Sequence, residues 1–385
     1  MIPDSPMPES KSHALNFENR LLSLPERVLS LDFLRGFIMV LLALESTELY
    51  SYLAKLVPGG ESNFLLIQFF HHPWHGLHFW DLIQPVFMFL AGVSMAFSLK
   101  KQEGKLSWTQ SLVRILKRCG WLFFWGVLDY MVREKGLSFE LWDILTQLSF
   151  TTLVAFLLEK KSPFIQLSTS LLFLIIPELL YRFAHIPGFN QPFVDQHNFG
   201  NYIDLILMGK INPGGWVAIN CLSTSAHTLW GLMAGQIMLR EIHGNKKLAL
   251  LIIGGLIGLI LGYGLDLFEI TPIIKRIATS SFVLVSGGYC LLFLALSYGW
   301  IDILKHRKYL FFFTVVGMNS LFIYLFFEIV GARWFNGYIG AIVGGFSHIF
   351  HLPLTLGQIL SSLVIFALEW SLCLFLYRKR IFFKA

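Results

Sequence analysis

Between Gln68 and Asp81 the chain gathers His71, His72, His75 and His78 with Trp74, Trp80 and Asp81. It then runs into an apolar stretch that ends at Lys100 and Lys101. Histidine takes and releases a proton near neutrality, and a neighbouring carboxylate fixes which ring nitrogen does so. On a helix, His71, His75 and His78 would share one face, being four and three residues apart. Asp81 follows three residues after His78 and is in reach of an imidazole. Three chemistries fit these residue types. Imidazoles hold metal ions, but no further ligand set accompanies these and Pro73 interrupts the helical pattern, so no metal is expected. His and Trp also pack where protein meets lipid headgroups. The third use is one histidine, oriented by Asp81, as general base or acyl acceptor.

The elements that would position this cluster are membrane helices. The 385 residues are 55% hydrophobic and only 14% charged, with mean hydropathy +0.63. Soluble domains carry about 25% charged residues. The apolar residues come in runs long enough to cross a bilayer, so the expected fold class is all-α, a polytopic membrane helix bundle. The net charge of +6 follows membrane topology rather than a nucleic-acid surface. Cys119, Cys221, Cys290 and Cys373 are scattered, without a CxxC pair, and read as small buried residues. Residues 1–27 lack the pattern of a secretory signal and are expected to be a cytoplasmic segment. Residues 28–377 then form one transmembrane domain, and 378–385 a basic cytoplasmic tail.

Ten spans are expected, with eleven as the rival count. They cover about Val28–Tyr50, Phe79–Leu99, Ile115–Met131, Leu141–Leu158, Phe164–Phe183, Cys221–Leu239, Leu248–Leu265, Ile273–Trp300, Tyr309–Val330 and Thr355–Tyr377. The Gly-rich stretch Trp334–Phe350 reads as a re-entrant or surface element. Placing both ends of a ten-span chain inside puts 21 of the 30 Lys and Arg on that side. Basic residues resist translocation, so both termini are expected in the cytoplasm and the histidine cluster outside.

Other polar residues stand in or beside the expected spans. Asp32 and Arg35 lie one turn apart near the start of the first, and Glu45 stands at its far end. His227 lies within an apolar segment, where an unpaired ring is costly. Lys275 and Arg276 begin a span and either bind phosphate or snorkel to headgroups. Asn319, buried in a span, needs a partner or a ligand. No Walker loop or dinucleotide-binding glycine pattern is present.

Five segments together resemble one known family. They are LDFLRGFIMVLLAL (31–44), HHPWHGLHFWDLIQPVFMFLAGVSM (71–95), NPGGWVAINCLSTSAHTLWGLMAG (212–235), TPIIKRIATSSFVL (271–284) and GMNSLFIYL (317–325). In this order they resemble the heparan-alpha-glucosaminide N-acetyltransferase family, including its bacterial N-acetylglucosamine-associated membrane branch. The resemblance runs from about residue 28 to 377. It implies acetyl transfer from acetyl-CoA to the amine of glucosamine or a glucosamine-ended saccharide, in a bacterial inner membrane, with a homodimer as the assembly. On that reading the catalytic histidine falls on His71 and its aspartate on Asp81. The cofactor-binding set is Lys275, Asn319 and Ser281, and the substrate-binding set Glu45, Ser46, His75 and His227. Where the lysosomal enzyme has an active-site asparagine, this chain has Ser46 beside Glu45, a departure that bears on the acceptor sugar. His71 would act either in a ternary complex or through a transient acetyl-imidazole. The rival class is a sugar carrier of the inner membrane, which many spans and polar midplane residues also describe.

Overall fold

The computed structural model describes residues 28–133 and 136–383. The expected cytoplasmic segment 1–27 lies outside them, as do the basic residues at 135 and 384. Apart from the two-residue strands β1 (Val132–Arg133) and β2 (Gly136–Leu137), regular structure among the described residues is helical.

The first half comprises α1 (Leu29–Ser46), α2 (Leu49–Leu56), α3 (Ile83–Gln102), α4 (Trp108–Met131), α5 (Ile144–Leu158), α6 (Pro163–Phe183) and α7 (Phe199–Met208). The second half comprises α8 (Asn220–Leu239), α9 (Gly244–Leu267), α10 (Ser280–Ser297), α11 (Leu310–Gly317), α12 (Ser320–Leu325), α13 (Asn336–Ile349) and α14 (Leu354–Arg378). Local signals set several starts. Asp143 accepts from Leu145 N at 2.6 Å ahead of α5, and Ser162 precedes Pro163 at the head of α6. Asn198 and Asn201 cap α7 reciprocally, and Gly209, at φ 70°, ends it.

Five helices among the described residues are long and apolar enough to cross a membrane. They are Phe79–Gln102, Pro163–Phe183, Gly244–Leu267, Ser280–Ile303 and Leu354–Arg378. A sixth results if Leu310–Gly317 and Ser320–Ile349, bent by 71°, count as one broken span. The other expected spans are helices too, but each is short or carries polar and charged residues. α1 contains Asp32, Arg35 and Glu45, and α5 has only 15 residues. The burial pattern identifies the solvent. Only 17% of the apolar window in α9 is buried, against 61% for Phe79–Gln102 and Ser280–Ile303. α9 leaves Ile253, Leu256, Ile257, Ile260 and Leu261 uncovered. A helix apolar on all sides and mostly uncovered needs lipid around it, as a helical membrane protein has.

The central helices approach closely where glycine allows it. A Cβ at Gly92 of α3 would overlap the Thr228 carbonyl of α8, and one at Gly231 of α8 would overlap the Phe89 carbonyl. Small residues let membrane helices touch along their backbones. Gly92→Leu is therefore expected to cost about 3 kcal/mol through overpacking. Gly120→Leu, whose added Cβ meets nothing within 4 Å, is expected to be neutral. Thermal unfolding of the two variants in detergent checks the contrast.

The Gly-rich stretch Trp334–Phe350, expected as a re-entrant or surface element, is helical. It continues the arm Ser320–Ile349, through the wide helical turn Phe326–Phe335 into α13, and packs beside α14. The bend falls at Asn319. Its Nδ2 donates to Ile381 O at 3.1 Å and its Oδ1 accepts from Phe383 N at 3.0 Å. Cys119, Cys290 and Cys373 are buried and Cys221 half-buried, all with free thiols.

Candidate active site

Residues 70–78 form a loop, so His71, His75 and His78 do not share a helical face. Asp81, 1% exposed in the tight turn Phe79–Leu82, organises that loop. Its Oδ2 accepts from His78 N at 2.9 Å and His72 N at 3.2 Å, drawing both ends of the loop onto one oxygen. Its Oδ1 is left for His71 Nδ1 at 2.9 Å. His78 Nδ1 donates to Phe70 O at 2.9 Å and closes the ring of contacts. Gly76, at φ 143°, lies where a side chain would run into the His72 ring.

The segment between α9 and α10 supplies the third group. Gly76 N donates to Ile273 O at 2.9 Å, and His75 pairs with Ile274 in an isolated antiparallel bridge. Thr279 Oγ1 and Ser281 Oγ both donate to Pro272 O, at 2.8 and 2.7 Å, and fix the shape of this turn. Lys275, 7% exposed, does not snorkel. It points inward, with Nζ 3.1 Å from His71 Nδ1 and 3.6 Å from Asp81 Oδ1. Trp216, from the NPGGW turn, closes one side. Its ring lies 5.7 Å from that of His71, edge-on, and 5.2 Å from Lys275 Nζ.

Three segments more than 50 residues apart in sequence thus meet at His71. The chemistry follows from Nδ1, which holds either one hydrogen or one lone pair. With the hydrogen on Nδ1 donated to Asp81, the Lys275 ammonium is left to the same carboxylate. Nε2 then carries the lone pair. The side chain as a whole is 40% exposed. Burial holds the imidazole below its ordinary pKa of 6.5, and the Lys275 charge lowers it further. Burial also brings Lys275 down to about 8, against the opposing pull of Asp81. His71 is consequently a neutral base at pH 7, beside a cation that can lose its charge a little above it.

The remaining expected residues divide. The charge of Glu45 is felt at Lys275, so the end of α1 borders this site. Ser281 acts through the Pro272 turn rather than by facing His71. His75 Nε2 bonds Asp266 Oδ1 at 2.7 Å, and the same oxygen accepts from Ile273 N at 2.9 Å. Ser46 lines a different cavity, described below. His227 is fully buried between α8 and α10, with Nε2 2.8 Å from Ser286 Oγ and its ring against Trp230 and Phe282. Asn319 serves the C-terminal tail. Among the described residues no group of three or more His, Cys, Asp or Glu is arranged to hold a metal ion. Trp216 and Asp266 were not singled out by sequence. The signals were a tryptophan after Gly214-Gly215 and an acid closing the apolar run of α9.

No family model matches the chain, and no curated protein matches it.

Proposed function

We propose that the chain is a membrane-embedded acetyltransferase that moves an acetyl group from acetyl-CoA to the amine of glucosamine or a glucosamine-ended saccharide. The observation that carries this reading is the His71 imidazole, tied at Nδ1 to Asp81 with the Lys275 ammonium beside the same carboxylate, and 40% exposed as a side chain. As the amine nitrogen attacks the thioester carbonyl, Nε2 takes its proton. The C–N bond forms, the C–S bond breaks, and His71 returns the proton to the leaving sulfur. Asp81 steadies the imidazolium in between. The Lys275 ammonium would add positive charge close to the ring, favouring negative charge growing on the carbonyl oxygen.

A cavity of about 640 Å³ suits the acetyl donor. Arg35, Arg114, Lys117 and Arg118 stand in its walls, with no acidic residue among them. Arg35 is steadied by Ser94 Oγ at 2.6 Å. Guanidinium and ammonium groups gathered this way fit phosphates. The cavity follows α3 from Gln102 up to Phe87, about 22 Å by helical rise, and Phe87 is about 9 Å short of Asp81 by the same measure. A thioester on a long flexible arm suits that depth. The bound donor supplies the acetyl group, and the basic residues would hold its phosphates at the end of the bundle remote from His71.

The ten-span count belongs to this proposal: α1, α4, α5 and α8 join the five long apolar helices and the broken pair. So does the orientation, with both termini cytoplasmic, His71 facing the periplasm and the protein in a bacterial inner membrane. A carrier remains the second reading, because the 71° break at Asn319 is the kind of discontinuity carriers use.

Proteoliposomes separate the two readings. With labelled glucosamine and acetyl-CoA the acetyltransferase yields N-acetylglucosamine, and without acetyl-CoA it accumulates no sugar. Accumulation without acetyl-CoA, and no acetylated product with it, would leave the carrier. The pH profile has a definite sign. The rate rises with pH through a value below 6.5, because imidazolium has no lone pair, and falls above about 8 as Lys275 loses its proton. Lys275→Met removes a positive neighbour, so the acid limb moves to higher pH and the alkaline limb disappears. Initial rates from pH 5 to 10 check both.

A further inference from the structure

A second cavity, of about 660 Å³, opens between the α1–α2 corner and the α13–α14 pair. Its walls carry five serine and threonine hydroxyls, beside Tyr52, Asn336, His348 and Gln358 as the side chains able to donate. Ser46 Oγ donates to Ala43 O at 2.9 Å, Thr47 Oγ1 to Leu44 O at 2.7 Å, and Ser347 Oγ to Val343 O at 2.9 Å. Ser361 Oγ donates to Gly357 O at 2.9 Å and Ser362 Oγ to Thr47 O at 2.6 Å. Each of these five hydroxyls has spent its hydrogen on the backbone, so what their oxygens have left to offer a ligand is lone pairs.

Asn336 extends the pattern. Its Nδ2 donates to Ser46 O at 2.8 Å, while its Oδ1 is buried with no partner. Beneath Ile365, one helical turn further along α14, Glu369 is 1% exposed and neither carboxyl oxygen has a partner. A Cβ on Gly331 would lie 3.4 Å from Asn336 Oδ1 and 3.6 Å from Glu369 Oε1, so both side chains lie against Gly331, with Glu369 behind the cavity wall rather than in it. Glu48 adds a carboxylate to the walls, which hold no Lys or Arg. Its backbone sits at φ 60°, a conformation uncommon outside glycine. Buried acceptors without donors are costly, and a donor-rich cation satisfies them.

We propose that this cavity binds a primary ammonium group carried on a small polar body, at a site separate from His71. Its size suits one monosaccharide-sized ligand. A free amino sugar and an aminophospholipid headgroup both present that ammonium. The inference rests on the cavity's own chemistry and not on the acetyl-transfer reading.

Calorimetric titration of the purified protein with glucosamine, ethanolamine and glucose tests it. Gly340 and Gly344 line the cavity, and a Cβ at either meets nothing within 4 Å, so a leucine there fills the cavity without disturbing packing. The expected result is an ammonium-dependent binding event that Gly340→Leu and Gly344→Leu remove. Glu48→Gln is expected to weaken it about tenfold or more, and His71→Ala to leave it unchanged. Glucosamine binding more tightly than ethanolamine assigns the site to a soluble amino sugar, and the reverse order to a lipid headgroup. Glucose binding as tightly as glucosamine, or no event that the leucine variants remove, would overturn the proposal.

Discussion

On the proposed function, His71→Gln is expected to lower the rate of acetyl transfer by about 10³-fold, within the range that a positioned general base contributes. The glutamine amide nitrogen can still donate towards Asp81, so the loop 70–78 keeps the contacts that Asp81 makes with His72 N and His78 N. What disappears is a lone pair able to take the amine proton. The loss therefore falls on kcat, while acetyl-CoA binds as before, because the basic cavity around Arg118 is separate from the loop. Rates at saturating substrates, beside equilibrium binding of acetyl-CoA, check the split. A variant that lost cofactor binding in proportion to rate would place His71 in the binding site instead.

The second large effect is Asp81→Asn, with an expected loss of about 10²- to 10³-fold, the scale on which fixing and charging a general base matters. An amide in place of the carboxylate can turn its NH₂ towards Nδ1, which puts the hydrogen on Nε2, where the lone pair is needed. The Lys275 ammonium also loses its counter-charge at 3.6 Å. The tautomer change acts through His71 alone, so most of the Asp81→Asn loss is expected to vanish in the double variant with His71→Gln. Independent, multiplying losses would show that Asp81 has a role of its own. The rates of the two single variants and the double variant, with thermal unfolding as the control for folding, decide between these.

Much of this arrangement is written locally in the sequence, and some of it is not. The helices stand where the apolar runs place them, because in a bilayer each run satisfies its own backbone. The pairing of Asp81 with His71 is a matter of ten residues and a turn. The arrival of Lys275 is a tertiary fact. The Pro272 turn has to be held by Thr279 and Ser281 and seated against Gly76 before Nζ reaches Nδ1. Nothing in the spacing of TPIIKR distinguishes that from a lysine snorkelling to headgroups.

The histidine spacing misleads for a related reason. Four-and-three periodicity suggests a helix, but Pro73 and Gly76 flank the middle of the segment, and Asp81 offers its backbone N–H groups a better acceptor. His227 reads as a site residue because a ring in an apolar run looks uncompensated; Ser286 on a neighbouring helix partners its Nε2, while Nδ1 is buried without a partner. Asn319 reads as a ligand contact, and its amide is taken by the chain's own tail. For His227 and Asn319 the neighbour lies more than 50 residues away along the chain, a distance that no local pattern encodes.

The most direct test of the central claim is thiol release from acetyl-CoA by the purified protein in detergent, with and without glucosamine, alongside His71→Ala. The account predicts amine-dependent release that the substitution abolishes. A stoichiometric burst without sugar would place the acetyl group on His71 itself before transfer. Release that is indifferent to glucosamine and survives in His71→Ala would contradict the account.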